Sequence, residues 1–283
     1  MLDEFDADLR LWYTEAQKEV KSVHIPASIK RRIGNKHGVP EEIGHSDAHV
    51  LMFDDMVLKI QPDCNMAANE HHMLRWLQGR LPVPEIIEEA HVDRYRYLLM
   101  SRIGGRYLCA DAILDDQHLL AELMADGLRK LWAVDISDCP TSRTLEDKFK
   151  EIEEGLRGGW ITKEQAGQVD TYGPGGFASP AALFDWLVKH RPTEELVLSH
   201  GDYCLPNIFA TGHAISGYID VGLAGVADKW VDIDKGLWSM WANTTGLWGG
   251  KQRPFDRQLF FDALHMEPDD DKIRYYGLLD ELC

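Results

Sequence analysis

Three side chains able to handle a phosphate and its metal fall close together late in the chain. Asp202 is followed five positions on by Asn207, and Asp220 stands just ahead of Gly222, spelling His-Gly-Asp-x4-Asn and then Asp-x-Gly. Moving a phosphoryl group onto a hydroxyl needs oxygen ligands for a hard cation such as Mg²⁺ and one carboxylate aimed at the hydroxyl proton. Asn207 and Asp220 suit the first task and Asp202 the second. Two rival readings use the same stretch: His200, Asp202, Asn207, His213 and Asp220 as ligands of a dinuclear metallophosphoesterase, and a nucleotide-binding module without catalysis.

Such residues must sit at the ends of rigid elements. The apolar β-rich runs 196–198 and 215–219 flank a loop with Gly, Pro and Asn in turn positions, which predicts strand, catalytic loop, short strand, strand. Further back, HVLMF and MVLKI flank Asp54-Asp55 and predict a hairpin, with Lys59 in its second strand. The next helical pattern, 66–77, carries Glu70. A strand lysine followed by a helix glutamate, ahead of Asp-x4-Asn and Asp-x-Gly, is the order in which kinases arrange their phosphate clamp and catalytic loop. The loop GHSDAH, with Ser46, precedes that hairpin and offers backbone N–H groups to phosphates. YRYLLMSRIGG reads as a strand ending in a glycine pair, where backbone groups of Ser101 and Ile103 face an adenine edge and Met100 shapes the pocket.

The remaining pattern is mainly helical. Proline at 26 opens a short helix over 27–33, LPVPEII is a proline-punctuated connector, and 116–134 has the clear period of a core helix. Helices follow at 146–156, from Ser179-Pro180 through Val188, and along ADKWVDIDKGLWSMW, whose Trp230, Trp238 and Trp241 are expected in the core. At the end, Ile273, Tyr276, Leu279 and Leu282 are expected to dock while Asp280 and Glu281 face outward. The stretch 1–24 reads as a helical extension without visible chemistry. The predicted fold class is α/β in the α+β sense: an N-terminal nucleotide-binding lobe over 25–100, mainly β, a hinge at 101–105, and a larger, mainly helical lobe over 106–283.

Thirty basic against 47 acidic residues give a formal net charge of −17, which argues against nucleic acid or an anionic membrane as partner and favours a cationic ligand. The opening residues have no signal-peptide pattern and no apolar run reaches the roughly 18 residues of a spanning helix, so a cytoplasmic location is expected. Cys64, Cys109, Cys139, Cys204 and Cys283 are scattered without a CxxC pair and are expected as free thiols.

From about Ile25 to its last residue the chain resembles the aminoglycoside 3′-phosphotransferases, antibiotic kinases of protein-kinase-like fold. MLRWLQGRLPVPEII, YLLMSRIGG, DISDCP, ELVLSHGDYCLPNIF, SGYIDVGLAGVADKWVDI and RYYGLLDELC carry the likeness. The resemblance implies that Asp202 is the catalytic base, that Asn207 and Asp220 bind Mg²⁺, and that Lys59 and Glu70 hold the phosphates of ATP or GTP. It implies further that the Ser46 loop covers the phosphates and that Met100, Ser101, Ile103 and Ile219 meet the base. Asp280, Glu281 and the carboxylate of Cys283 would take ammonium groups of the drug. The chain departs from the family's pattern at Val57, Leu223, Trp238 and Cys283, and near Val169, Tyr172, Ala242 and Asn243, positions tied to purine and drug recognition; another hydroxylated amine or sugar is the alternative acceptor.

Overall fold

The computed structural model describes residues 25–41, 48–165, 171–248 and 250–283. The 1–24 extension, Ser46 with residues 44–47 of its loop, and Val169 lie outside the described residues. The chain divides into two compact units, the first including 25–67 and 85–102 and the second 68–84 and 103–283.

In the first unit β1 (Val39–Pro40), β2 (His49–Met52), β3 (Met56–Pro62), β4 (Ile86–Val92) and β5 (Tyr95–Ser101) form one antiparallel sheet in the order β1-β2-β3-β5-β4. Helix α1 (Ala27–Ile33) packs on β4. Ile29, Ile33, Phe53, Met56, Leu58, Ile60, Tyr97 and Leu99 make a single apolar cluster. Strand side chains alternate, so Val57, Lys59 and Gln61 on β3, with Leu98 and Met100 opposite on β5, lie on the other face. Part of the expected connector LPVPEII belongs to β4, which pairs with β5 through a register shift between Ile86 and Glu88.

Helix α2 (Asn65–Leu77) begins in the first unit, but from residue 68 onward it groups with the second, not with the 25–100 lobe expected from the sequence. The second unit is mainly helical: α3 (Asp111–Leu114), α4 (Gln117–Trp132), α5 (Leu145–Gly158), α6 (Pro180–Lys189), α7 (Lys229–Thr245), α8 (Arg257–Leu264) and α9 (Asp270–Asp280). Two small antiparallel sheets complete it. One pairs β7 (Leu196–Ser199) with β10 (Gly225–Asp228); the other orders β6 (Arg106–Tyr107), β8 (Ile208–Thr211) and β9 (Ala214–Tyr218) as β6-β8-β9.

The helix starts are legible in residue types. Asp116, Ser179, Asp228, Asp256 and Asp269 each accept a backbone N–H of the first turn, and Thr144 forms a reciprocal capping box with Asp147. Helix α4 is the core helix expected over 116–134, buried at Leu120, Leu123, Met124, Leu128 and Leu131, and it packs on α8, β7 and β9. Helix α8 had no counterpart in the sequence reading. Its buried Phe260, Phe261 and Leu264 fill the space beside α4. Of the three tryptophans expected in the core, only Trp230 is buried; Trp238 and Trp241 are 41% and 42% exposed.

Candidate active site

The loop after β7 is fixed by a buried carboxylate on α7. Asp232, fully buried, accepts the Ser199 hydroxyl at 3.0 Å and the backbone N–H groups of His200 and Gly201 at 2.8 and 2.9 Å. Burial pushes its pKa up, and these donors oppose that shift. Ser239, two turns along α7, accepts the N–H of Leu205 at 3.0 Å, so one helix grips both sides of the loop. Gly201 turns at φ 80°, and a Cβ there would overlap the backbone of Leu223. A side chain is therefore excluded twice over.

His200 ties this loop to the strand that leads to Asp220. Its Nδ1 accepts the Asp202 N–H at 3.3 Å, so the ring proton sits on Nε2, which donates to the Ile219 carbonyl at 2.9 Å. Both ring nitrogens are thereby used, which removes His200 from the metallophosphoesterase ligand set; His213 is exposed in the β8–β9 turn. Among the described residues no three His, Cys, Asp or Glu side chains are grouped to hold a metal.

Asp202 is half-buried and receives one donor on each carboxylate oxygen. Asn207 Nδ2 reaches Oδ2 at 2.8 Å, and the Cys204 thiol reaches Oδ1 at 3.1 Å. The same Asn207 amide donates to the Asp202 carbonyl at 3.0 Å. With its nitrogen committed to two acceptors, Asn207 turns its amide oxygen elsewhere, and an oxygen is what Mg²⁺ takes. Burial first, and then the Asp202 charge, push the Cys204 thiol far above its ordinary pKa, so it acts as a donor and not as a thiolate.

Asp220 follows β9 with φ 57° and ψ 47°, left-handed geometry that aspartate tolerates better than most residues. The Ile219 N–H donates to the Asn207 carbonyl at 3.0 Å, tying Asn207 to the residue just before Asp220. Two buried tyrosines set both segments on α4: Tyr203 Oη donates to the Met124 carbonyl at 2.7 Å and Tyr218 Oη to the Gly127 carbonyl at 2.9 Å. A Cβ at Gly127 would overlap the Tyr203 hydroxyl. On α2, Asn69 donates to the carbonyls of Gly222 and Ala224 at 2.9 Å and accepts the Thr141 hydroxyl at 2.6 Å.

Of the expected nucleotide residues in the first unit, Lys59 and Met100 are buried and share one sheet face with Val57. The lysine does not point to solvent, the ordinary outcome for its sequence context. The Ser101 N–H donates to the Glu85 carbonyl at 2.8 Å and its hydroxyl accepts the Glu85 N–H at 2.9 Å, so of its backbone groups the N–H is taken within the sheet lobe. In the second unit Glu70 is buried on α2, and Ile103 packs against Gly217 of β9, two residues before the half-buried Ile219.

The chain end lines a cavity of about 480 Å³ with Glu151, Ile152, Trp160, Ile161, Asp280, Glu281, Leu282 and Cys283. Tyr275, Tyr276, Leu279 and Leu282 dock as apolar anchors, while Ile273 is only half-buried. Asp280 is exposed but does not simply face water: Lys235 Nζ holds its Oδ2 at 2.6 Å. Lys235, Asp232, Asn69, Cys204, Glu151 and Trp160 were not singled out from sequence. Asp232 had a readable signal, since Asp232, Gly236, Ser239 and Asn243 form a small or polar line down one side of a tryptophan-rich helix.

Residues 44–276 match the phosphotransferase enzyme family, so loop and fold together define the class: an enzyme that moves a phosphoryl group to a hydroxyl, on a protein-kinase-like scaffold. An aminoglycoside 3′-phosphotransferase of Enterococcus faecalis is 38% identical over 216 residues, covering 75% of this chain and 77% of that relative. One from Niallia circulans is 33% identical over 269 residues, with 90% and 96% covered. The solved aminoglycoside 3′-phosphotransferase of type VIII superposes with a TM-score of 0.74 at 24% identity, covering 90% of this chain and 97% of the other. A Streptomyces rimosus aminoglycoside phosphotransferase, solved with ADP and streptomycin, superposes at 0.70 with 22% identity, covering 90% and 95%. The chain belongs to the aminoglycoside 3′-phosphotransferase family.

Proposed function

We propose that this enzyme transfers the γ-phosphoryl group of ATP, or of GTP, to a hydroxyl of an aminoglycoside, the 3′-hydroxyl by its relatives' names, and so confers resistance to the drug. The observation that carries this reading is Asp202: a half-buried carboxylate with one donor fixed on each oxygen, on a loop braced by a buried aspartate. Each carboxylate oxygen keeps a further lone pair for the acceptor hydroxyl. Asp202 orients that hydroxyl and takes its proton while the acceptor oxygen bonds to phosphorus and the bond to the β-phosphate oxygen breaks. Asn207, through its amide oxygen, and Asp220 would hold Mg²⁺; the ion supplies neutralisation of phosphate charge. Two side-chain ligands suffice because Mg²⁺ in such sites completes its shell with phosphate oxygens and water.

Lys59 neutralises phosphate charge, Glu70 serves the same nucleotide, and Met100, Ile103 and Ile219 contact its base, with Ser46 at the phosphates. The drug's ammonium groups enter the acidic cavity of Glu281, the Cys283 carboxylate and Asp280, joined by Glu151 and the exposed face of Trp160. The enzyme works in the cytoplasm, where the nucleotide is. A coupled ADP-release assay over a panel of aminoglycosides and simpler amino sugars, with and without Mg²⁺, tests the reading. Mg²⁺-dependent turnover on aminoglycosides is expected; turnover confined to simple amino sugars or amines would move the acceptor to the alternative class, which the exposed Trp238 and the paired Asp280 favour.

A further inference from the structure

Helix α7 carries a lysine among carboxylates. Lys235, its side chain 25% exposed, reaches Asp280 at 2.6 Å and lies in the electrostatic field of Asp202. Asp234, next to it, is half-buried and faces Gly277 on α9, where an added Cβ would come within 3.4 Å of its carboxylate, one turn before Asp280. One ammonium is thus bonded to Asp280 and lies in the field of Asp202 and Asp234. Burial alone would lower the lysine's pKa, and the surrounding negative charge outweighs it, so the group is held as a cation.

We infer that Lys235 is a specificity-determining residue: its ammonium occupies the Asp280 carboxylate that an ammonium of the acceptor would otherwise pair with. The inference rests on the aminoglycoside reading of the cavity at the chain end, which Asp280 also lines. A carboxylate bonded to an internal cation offers an incoming cation little net field, and the lysine repels the cation as it approaches. Among the acids lining the cavity, Asp280 is thus neutralised in place by a cation of the same chain. The acceptor that suits this arrangement is an amino sugar presenting a hydroxyl, and not an ammonium, toward Asp280.

The test is calorimetric binding of neomycin to the full chain without nucleotide, for wild type, Lys235→Gln and the double variant Lys235→Gln/Asp280→Asn. Lys235→Met is made in parallel, and thermal melts certify folding of each. Lys235→Gln is expected to bind about tenfold more tightly than wild type, the size of one partly screened ion pair, and the double variant is expected to return to wild-type affinity. Equal affinity in all three overturns the proposal, as does a gain that survives loss of Asp280. A kcat lowered by Lys235→Gln with neomycin affinity unchanged also overturns it, since the lysine would then act on the phosphoryl group. Failure of wild type to bind any aminoglycoside removes the functional reading itself, whereas binding by wild type that Lys235→Gln and Lys235→Met leave alone removes only this inference.

Discussion

On the proposed reading, Asp202 and the atoms that touch it set the chemistry. Asp202→Ala is expected to lower kcat by about 10²-fold or more with nucleotide affinity retained, because a general base contributes at least that much to a proton transfer. Cys204→Ala removes only one of two donors to the same carboxylate and should cost less than about tenfold in kcat. Steady-state kinetics on both variants checks the order. The elevated pKa of the Cys204 thiol has its own consequence: alkylation of the native protein at neutral pH should label the exposed Cys64 and Cys283 and spare Cys204, read by peptide mass spectrometry. Asp234 gives a pH dependence. Burial, and then Asp280, raise its pKa from 3.8 to about 7, so the folded protein keeps a proton that the unfolded chain has released. Stability therefore falls as pH rises through that window and is level above it. Asp234→Asn, which mimics the protonated form, should gain a few degrees of Tm over wild type between pH 4 and pH 7, and the gap should then hold constant; a gap independent of pH would contradict the assignment.

Helix α7 is the element on which the site depends, since Asp232 and Ser239 grip the loop from one face. Asp232→Ala leaves the His200 N–H and the Ser199 hydroxyl without their acceptor and the Gly201 N–H with Ser199 Oγ alone, a loss of about 3 kcal/mol, measurable by denaturant unfolding. Gly127→Ala should push Tyr203 out of its bond to Met124 and lower both Tm and kcat. The elements themselves were largely legible in the sequence: the β2–β3 hairpin, the core helix α4, the Ser179-Pro180 start of α6 and the β7–loop–β9 stretch all follow from period and turn chemistry. What was not legible depends on contacts far apart in number. β4 hid behind the prolines that precede it, and nothing local shows that Ser101 spends its N–H on Glu85. The Lys235 pair with Asp280 joins positions forty-five apart, and no helical or strand period reports such a meeting. Trp238 and Trp241 misled in the opposite sense, because aromatic content alone does not say which side of a helix is covered.

For the molecule as a whole, a formal net charge of −17 and an acidic cavity suit a polycationic acceptor. Because most of those carboxylates are partly exposed, the KM for the drug should rise several-fold between about 50 mM and 500 mM salt as screening grows. An unchanged KM would argue for an uncharged acceptor. Among the described residues no helix is long and apolar enough to cross a membrane. On the proposed reading, the loop bearing Asp202 delivers a phosphoryl group to an aminoglycoside hydroxyl. That delivery is tested most directly by ³¹P NMR of the product formed from ATP, Mg²⁺ and an aminoglycoside. A phosphate monoester on the drug is expected with wild type and only unreacted ATP with Asp202→Asn; release of inorganic phosphate with no ester, or an ester formed equally by the variant, would rule the reading out.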